Sequence, residues 1–218
     1  DLYIKILSND DKIVSGLVYG GNSSKKKLTY QPGYIIEFNQ LQKNANSVST
    51  INGELVRPYI GNIYKDKFKP FSLLAIISIL NICLYDGVKT NGIFISVKEL
   101  INHINTNNQW LSNFCYWLLY LLKLLGYEIE YKNKKNLKYF NLRSLKFENI
   151  NISTSSILFP HELLKNNETV KYESVNSVFT IFETVFKQYH LNNNNDKMPL
   201  NYLNFKKIII NKLYNLNT

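Results

Sequence analysis

The spacing of apolar residues changes near Gly61, and this change constrains the fold more than any other feature of the sequence. Before this point, short β-prone runs alternate with clusters of turn-forming residues. After it, apolar residues recur at helical spacing over long segments. The first pattern is typical of strands in a small sheet and the second of packed helices. The sequence therefore predicts an α+β fold in which a strand-rich region precedes a helical region.

The runs before Gly61 predict a small β-barrel. They are separated by polar or glycine-containing clusters at residues 8–11 and 20–22, and short strands bounded by turns favour a barrel over βαβ units. We therefore expect an OB-fold-like small barrel domain at residues 1–62 and an all-α helical domain at residues 63–218. The predicted strands are residues 2–7, 12–19, 34–38 and 47–59.

The apolar segments after Gly61 predict buried helices. The longest of them, residues 71–85 and 111–127, are shorter than the roughly 20 apolar residues that span a bilayer. Gly126 is well placed to end the second one. The apolar stripe from Val175 to Phe186 has the regular helical spacing of a core-facing surface. One predicted helix begins at residue 70, and the others cover residues 96–104, 109–125, 174–189 and 200–216.

The charge of the chain predicts an anionic partner. Lys and Arg number 26 against 16 Asp and Glu, which gives a net charge of +10. All but Arg57 and Arg143 of these cations are lysines, and residues with A/T-rich codons are abundant throughout. The placement of the charge therefore carries more weight than its size. Basic residues dominate residues 12–36, 123–146 and 197–218, which fits either a surface that follows a phosphate backbone or a solvated lysine face.

Two of these basic stretches supply the predicted nucleic-acid-binding residues. The lysine triplet at residues 25–27 is expected in a flexible connection between strands, where serine hydroxyls and ammonium groups could converge on phosphates. Nearby aromatic residues are interpreted as packing residues in preference to base-stacking platforms; they are Tyr3, Tyr19, Tyr30, Tyr34 and Phe38. The predicted contacts are Lys12, Ser23, Ser24, Lys25, Lys26, Lys27, Lys132, Lys134 and Lys135.

No motif in the sequence requires catalysis, a metal or another cofactor. Neither cysteine belongs to a CxxC pair, the histidines lack partners at metal-ligand spacing, and the glycine–lysine segment at residues 20–27 lacks the order of a phosphate-binding loop. Both cysteines, Cys83 and Cys115, fit small buried residues in a reducing cytoplasm. A metal-dependent nuclease that uses Asp10, Asp11 and Glu37 is the enzymatic alternative, and the sequence gives it little support.

Two segments resemble the RecO family of recombination mediators. Residues 16–25 read GLVYGGNSSK and residues 28–33 read LTYQPG, like the family's strand, glycine turn, basic loop and Gln-Pro pair. Residues 116–127 read YWLLYLLKLLGY, like an apolar helix of the family that ends in Leu-Gly and an aromatic residue. The order of barrel and helical bundle covers nearly the whole chain. Many members carry a cysteine cluster after this helix, whereas residues 128–136 contain none, so no metal is expected.

The resemblance implies a non-enzymatic protein of bacterial recombinational repair in the cytoplasm, associated with the nucleoid. Such proteins bind single- and double-stranded DNA, anneal complementary strands and help to load RecA. Their expected partners are a RecR-like protein and the tail of single-stranded DNA-binding protein, which docks on the helical domain. The family has a further strand before the position of Leu2, so the chain is expected to start inside the barrel and residues 1–62 to form an N-terminally truncated nucleic-acid-binding domain. A ribosome- or tRNA-associated RNA-binding barrel remains the alternative.

Overall fold

The computed structural model describes residues 1–42, 44, 47–57, 61–134, 136–151, 153–165, 170–191 and 197–217. Within these ranges the chain forms two compact units, Asp1–Thr106 and Asn107–Thr218. The first unit contains a four-stranded sheet and the second is mainly helical, with a three-stranded sheet. The predicted succession of a strand-rich region and a helical region is confirmed.

The first unit is built on a sheet with the strand order β1-β2-β4-β3. β1 pairs antiparallel with β2, β2 meets β4 in parallel at Leu17 and Thr50, and β4 pairs antiparallel with β3. The elements are β1 (Leu2–Leu7), β2 (Ile13–Val18), α1 (Ser24–Thr29), β3 (Ile35–Leu41), β4 (Thr50–Arg57), α2 (Lys69–Cys83) and α3 (Ile93–Thr106), with a short 3-10 turn at Ile63–Lys65.

In the described part of the chain, β1 and β3 each have one strand neighbour, so the sheet is open. A cavity of about 360 Å³ borders both of these edges and is lined by residues 4–7 and 33–36, together with apolar residues of α2 and α3. Alternate residues of a strand point to opposite faces of the sheet, so a cavity on one face would be lined by every second residue. Because residues 4–7 and 33–36 line this cavity consecutively, it lies against the edges of the strands. Closure of these strands into an OB-type barrel stays a prediction.

Helices α2 and α3 belong to the first unit because the connection between them is bound to the sheet. The backbone N–H of Gly87 donates to the carbonyl of Ile13 at 3.1 Å, and that of Thr90 donates to the carbonyl of Asp11 at 2.9 Å. The packing unit therefore extends to Thr106, beyond the predicted boundary at residue 62. The predicted boundary follows the change of secondary structure, and as the limit of a nucleic-acid-binding domain it stays a prediction.

The second unit has a core of aromatic side chains. Phe114 of the first helix packs edge-on against Phe205 of the last, with ring centroids 4.7 Å apart, and the predicted stripe that contains Phe179 and Phe182 is fully buried. The elements are α4 (Trp110–Leu124), β5 (Tyr139–Asn141), β6 (Lys146–Glu148), β7 (Ser156–Leu158), α5 (Tyr172–Phe186) and α6 (Leu200–Asn217), with a 3-10 turn at Leu163–Lys165 and a π-turn at Lys187–Leu191.

The prediction that this region is all-α was wrong, because β5, β6 and β7 form an antiparallel sheet in the order β6-β5-β7. Each strand has three residues, which is too short for an alternating pattern to show in the sequence. The predicted end of α4 is confirmed, since Gly126 follows it with a φ of +87°. No described helix has the length and hydropathy needed to cross a membrane.

Candidate nucleic-acid interface

The lysine triplet lies on a short helix, so the prediction of a flexible connection was wrong. The hydroxyl of Ser23 accepts a hydrogen bond from the backbone N–H of Lys26 at 3.4 Å and caps α1. Serine favours this position because its oxygen satisfies a free N–H group of the first turn. Ser24 is the first residue of α1, and the side chains from Ser23 to Leu28 are exposed.

The helix spreads the three ammonium groups over different directions. Successive residues of a helix do not share a face, so the three side chains leave α1 in different directions and are not aligned on a single phosphate. The ammonium of Lys26 donates to the carbonyl of Tyr19 at 2.7 Å, which holds it near the end of β2. In the described ranges, no hydrogen bond or ion pair joins the ammonium groups of Lys25 and Lys27 to another residue. These two charges are free to meet separate phosphates.

Lys12 lies at the opposite end of β2 from this helix. A strand of six residues spans roughly 20 Å, so the structure does not bring Lys12 together with the triplet. It places Lys12 beside Lys89 in an antiparallel bridge instead, and both side chains are exposed. Lys89 is an additional cation that sequence reasoning missed, since it follows α2 and only the folded chain brings it to β2.

The aromatic residues of the first unit divide by exposure. The hydroxyl of Tyr30 accepts from the N–H of Gly53 at 2.8 Å and donates to its carbonyl at 3.2 Å, so this residue fastens the α1–β3 connection to β4. Tyr34 and Phe38 are half-buried. Tyr3 and Tyr19 are 55% and 60% exposed, which leaves their rings accessible for stacking. Of the five aromatic residues interpreted as packing residues from the sequence, Tyr30 therefore fits this interpretation best.

The second basic stretch follows α4 in the other unit. Lys132 and Lys134 are exposed, and the N–H of Lys134 donates to the carbonyl of Tyr131 at 3.0 Å in a turn. Lys135, the third predicted contact, lies outside the described residues. Lys134 shares the lining of a cavity of about 680 Å³ with Lys146.

Lys132 lines a different cavity, of about 240 Å³, together with Tyr116 and Tyr120 of α4. Sequence reasoning did not select these tyrosines as ligand contacts. The sequence feature that could have identified them is their spacing of four residues, because it places both rings on one face of a helix.

The groups considered for enzymatic chemistry have other contacts. Both carboxylate oxygens of Asp11 accept backbone N–H groups, from Gly92 at 2.8 Å and from Phe94 at 2.9 Å. Burial raises the pKa of both thiols, Cys83 and Cys115, so they are poor nucleophiles. Among the described residues, no group of three or more His, Cys, Asp or Glu side chains could hold a metal ion.

Fold and surface charge define a basic α+β protein with exposed lysines on a strand-rich unit and on a mainly helical one. No family model matches the chain. DNA repair protein RecO of Rickettsia canadensis (strain McKiel) is 22% identical over 203 residues, which cover 88% of this chain and 83% of that protein. The proteins of the same description from Rickettsia bellii (strain OSU 85-389) and Orientia tsutsugamushi (strain Ikeda) are 22% and 24% identical, over 87% and 86% of this chain and 82% and 83% of their own lengths. The chain is therefore similar over most of its length to several proteins described as DNA repair protein RecO, which supports the resemblance to the RecO family.

Proposed function

We propose that this chain is a non-enzymatic protein of DNA repair that binds single- and double-stranded DNA, anneals complementary strands and assists the loading of RecA. The observation that carries the proposal is its similarity to DNA repair protein RecO over 88% of its length. The exposed lysines at residues 25–27 and at Lys132 and Lys134 support it, because phosphate contacts supply most of the affinity of non-specific nucleic-acid binding.

The charges suggest how annealing proceeds. Two complementary strands repel each other, and lysines that neutralise phosphates on both strands lower this repulsion. Lysine provides a point charge, whereas arginine provides a planar fork that reads guanine in two hydrogen bonds. With 24 lysines and two arginines, the protein is suited to hold DNA with little preference for sequence.

The proposal includes the finer details of fold, partners and location. The open β1-β2-β4-β3 sheet is taken as the main part of an OB-type barrel that contributes the lysine helix to the DNA-binding surface. A RecR-like protein and the tail of single-stranded DNA-binding protein are the proposed partners, the latter on the helical region. The proposed location is the bacterial cytoplasm, at the nucleoid.

Strand annealing tests this function directly. Complementary oligonucleotides with a fluorophore and a quencher are mixed with the protein over a series of salt concentrations, with and without single-stranded DNA-binding protein. We expect annealing that persists on coated strands and weakens steeply as salt rises. Failure of the folded protein to anneal bare or coated strands would contradict the proposal.

A triple variant examines the lysine helix. Changing Lys25, Lys26 and Lys27 together to glutamine should slow annealing several-fold while the circular dichroism spectrum stays unchanged. The matched control changes Lys65, Lys98 and Lys171, which are exposed lysines outside the predicted contacts, to glutamine. An equal effect of both triple variants would show that net charge, and not this helix, determines the rate.

Competition separates DNA from RNA as the ligand. DNA and RNA strands of matched sequence compete for the protein in a fluorescence anisotropy assay. We expect DNA to compete at least as well as RNA. A strong preference for RNA would overturn the proposal in favour of an RNA-binding protein.

A further inference from the structure

A cavity of about 240 Å³ in the second unit combines aromatic rings, polar side chains and a cation at one place. It lies between one face of α4 and the segment that follows this helix, and we call it the tyrosine cavity. Its lining consists of Tyr116, Leu119, Tyr120, Lys123, Glu128, Ile129, Glu130, Tyr131, Lys132 and Asn133. Aromatic surface next to a cation is the combination by which proteins hold single-stranded nucleic acid.

Two rings of this cavity are nearly parallel and stacked on each other. The ring centroids of Tyr116 and Tyr120 are 6.1 Å apart and the ring planes differ by 12°. Both side chains are half-buried, so each ring is supported by the protein and still reaches solvent. A planar base can extend this stack on an accessible ring face irrespective of its identity, because every base has a π-face.

Polar groups of the same lining can meet the edge of a base. The hydroxyl of Tyr131 carries its proton at neutral pH and can donate, and burial raises its pKa further, to about 12. The amide of Asn133 offers two donors and an acceptor. These groups suit a neutral, planar, hydrogen-bonding ligand.

The charges around the cavity favour a nucleotide over a bare phosphate. The ammonium of Lys123 lies 2.7 Å from a carboxylate oxygen of Glu128, so these two charges offset each other. Lys132 in the lining and Lys134 just beyond it are exposed cations that can meet the neighbouring backbone phosphates. Glu130 is exposed and disfavours a phosphate inside the cavity itself.

We infer that the tyrosine cavity binds a base of single-stranded nucleic acid by stacking on Tyr116 and Tyr120, with Lys132 and Lys134 on the adjoining phosphates. The inference rests on the proposed function and adds to it a contact with the base. It distinguishes this site from the lysine helix α1, which has no aromatic residue of its own. Stacking of this kind gives affinity that depends on the bases and varies little with their sequence.

The test compares two ligands that differ only in their bases. Fluorescein-labelled oligothymidylate and an abasic oligonucleotide of the same length are titrated with the full chain by anisotropy. Wild-type protein should bind oligothymidylate roughly tenfold more tightly. Changing Tyr116 and Tyr120 together to leucine should abolish this preference and leave binding of the abasic strand unchanged.

Two further variants separate stacking from folding. Changing both tyrosines to phenylalanine keeps the rings and should keep the preference. Tyr189 belongs to another stacked pair, in which its ring centroid lies 5.6 Å from that of Tyr127. Changing Tyr189 to leucine should have no effect on the preference for oligothymidylate. Photocrosslinking of iododeoxyuridine-containing DNA to the wild-type chain should label Tyr116 or Tyr120, as mapped by mass spectrometry.

The outcomes of the two proposals are distinct. Equal wild-type affinity for both oligonucleotides, or a preference that survives in the double leucine variant, would overturn the stacking site and leave DNA binding intact. Crosslinks found only outside the tyrosine cavity would likewise overturn it. Failure to bind either oligonucleotide would overturn the proposed function itself.

Discussion

The glycines of residues 16–21, which carry much of the resemblance to RecO, have structural roles at the level of single atoms. A Cβ at Gly16 would lie 2.6 Å from the carbonyl oxygen of Ser49, because β2 and the segment that leads into β4 approach closely there. Gly20 has a φ of +62°, a conformation that other residues adopt at a cost. The geometry of the sheet and its turn therefore accounts for these glycines, and they do not by themselves indicate a function.

Gly16 is expected to tolerate no side chain. Changing it to alanine forces a methyl group against the backbone oxygen of Ser49 and should lower the free energy of unfolding by about 1–3 kcal/mol. Chemical denaturation followed by circular dichroism measures this. Gly61→Ala is the matched control, since nothing lies within 4 Å of a Cβ at Gly61. Equal stability of Gly16→Ala and wild type would show that the strands can separate freely at this point.

Asp11 ties the β1–β2 turn to the start of α3. Hydrogen bonds from the N–H groups of Gly92 and Phe94 favour the ionised carboxylate and hold the pKa of Asp11 below its ordinary value of 3.8. Since the folded pKa is the lower one, this stabilisation is fully present above the unfolded pKa and is lost as pH falls through the folded value. Asp11→Asn should therefore lower the free energy of unfolding by about 1 kcal/mol at neutral pH.

The pH dependence distinguishes this contact from a general effect of charge. The difference between wild type and Asp11→Asn, measured by urea denaturation, should shrink as the pH is lowered through the acidic range. Asp10→Asn removes the neighbouring exposed carboxylate and should change stability by less than about 0.5 kcal/mol. A difference for Asp11→Asn that stays constant down to about pH 2 would exclude this role of the carboxylate.

At the level of secondary structure elements, α5 and α6 are joined by a partly buried charged contact. The carboxylate of Glu183 accepts hydrogen bonds from the ammonium of Lys206 at 2.7 Å and from the hydroxyl of Tyr202 at 3.2 Å. The ammonium of Lys187 lies 3.8 Å from the other carboxylate oxygen. The side chain of Glu183 is 13% exposed, so its charge depends on these three partners. Burial, with the carboxylate nearby, raises the pKa of Tyr202 and keeps its hydroxyl a donor.

Loss of Lys206 should loosen this pair of helices. Lys206→Met leaves the carboxylate with a weaker set of partners and should lower the free energy of unfolding by about 1–2 kcal/mol. Hydrogen exchange should show faster amide exchange in α6. Lys207→Met removes an exposed neighbouring lysine and is expected to be nearly neutral. Equal exchange in the two variants would contradict the role of this contact.

The elements also show how much of the fold the sequence predicts. Long helices such as α4 and α5 were predicted close to their bounds, because a buried face repeats over several turns. The short helix α1 and the three-residue strands were missed, since one serine cap or one turn determines them and leaves no periodic signal. The bridge between Lys12 and Lys89, and the presence of Lys132 and Tyr116 in one cavity lining, come from tertiary structure that no local pattern encodes.

At the scale of the whole molecule, exposed cations occur on both units, and each set should contribute to binding. For single strands, the slope of log affinity against log salt changes by about 0.7 for each phosphate contact. Glutamine at residues 25–27 should therefore reduce the slope by up to about 2, and glutamine at Lys132 and Lys134 by up to about 1.4. Anisotropy titrations of a labelled single strand over a salt series measure these slopes.

The combined variant tests whether the two sets act together. If both sets contact the same strand, the reductions in slope should add in the protein that carries all five substitutions. The control triple at Lys65, Lys98 and Lys171 should leave the slope close to that of wild type. A slope that responds to only one set would restrict the DNA-binding surface to one of the two units.

The open edges of β1 and β3 affect the behaviour of concentrated solutions. An unpaired edge exposes backbone donors and acceptors, which can hydrogen-bond to a strand of another molecule. Mutual repulsion between chains with a net charge of +10 opposes such encounters, and salt weakens this repulsion. The salt that releases bound DNA thus also promotes self-association. A concentrated solution of this protein without nucleic acid should therefore scatter more light at high salt than at low salt.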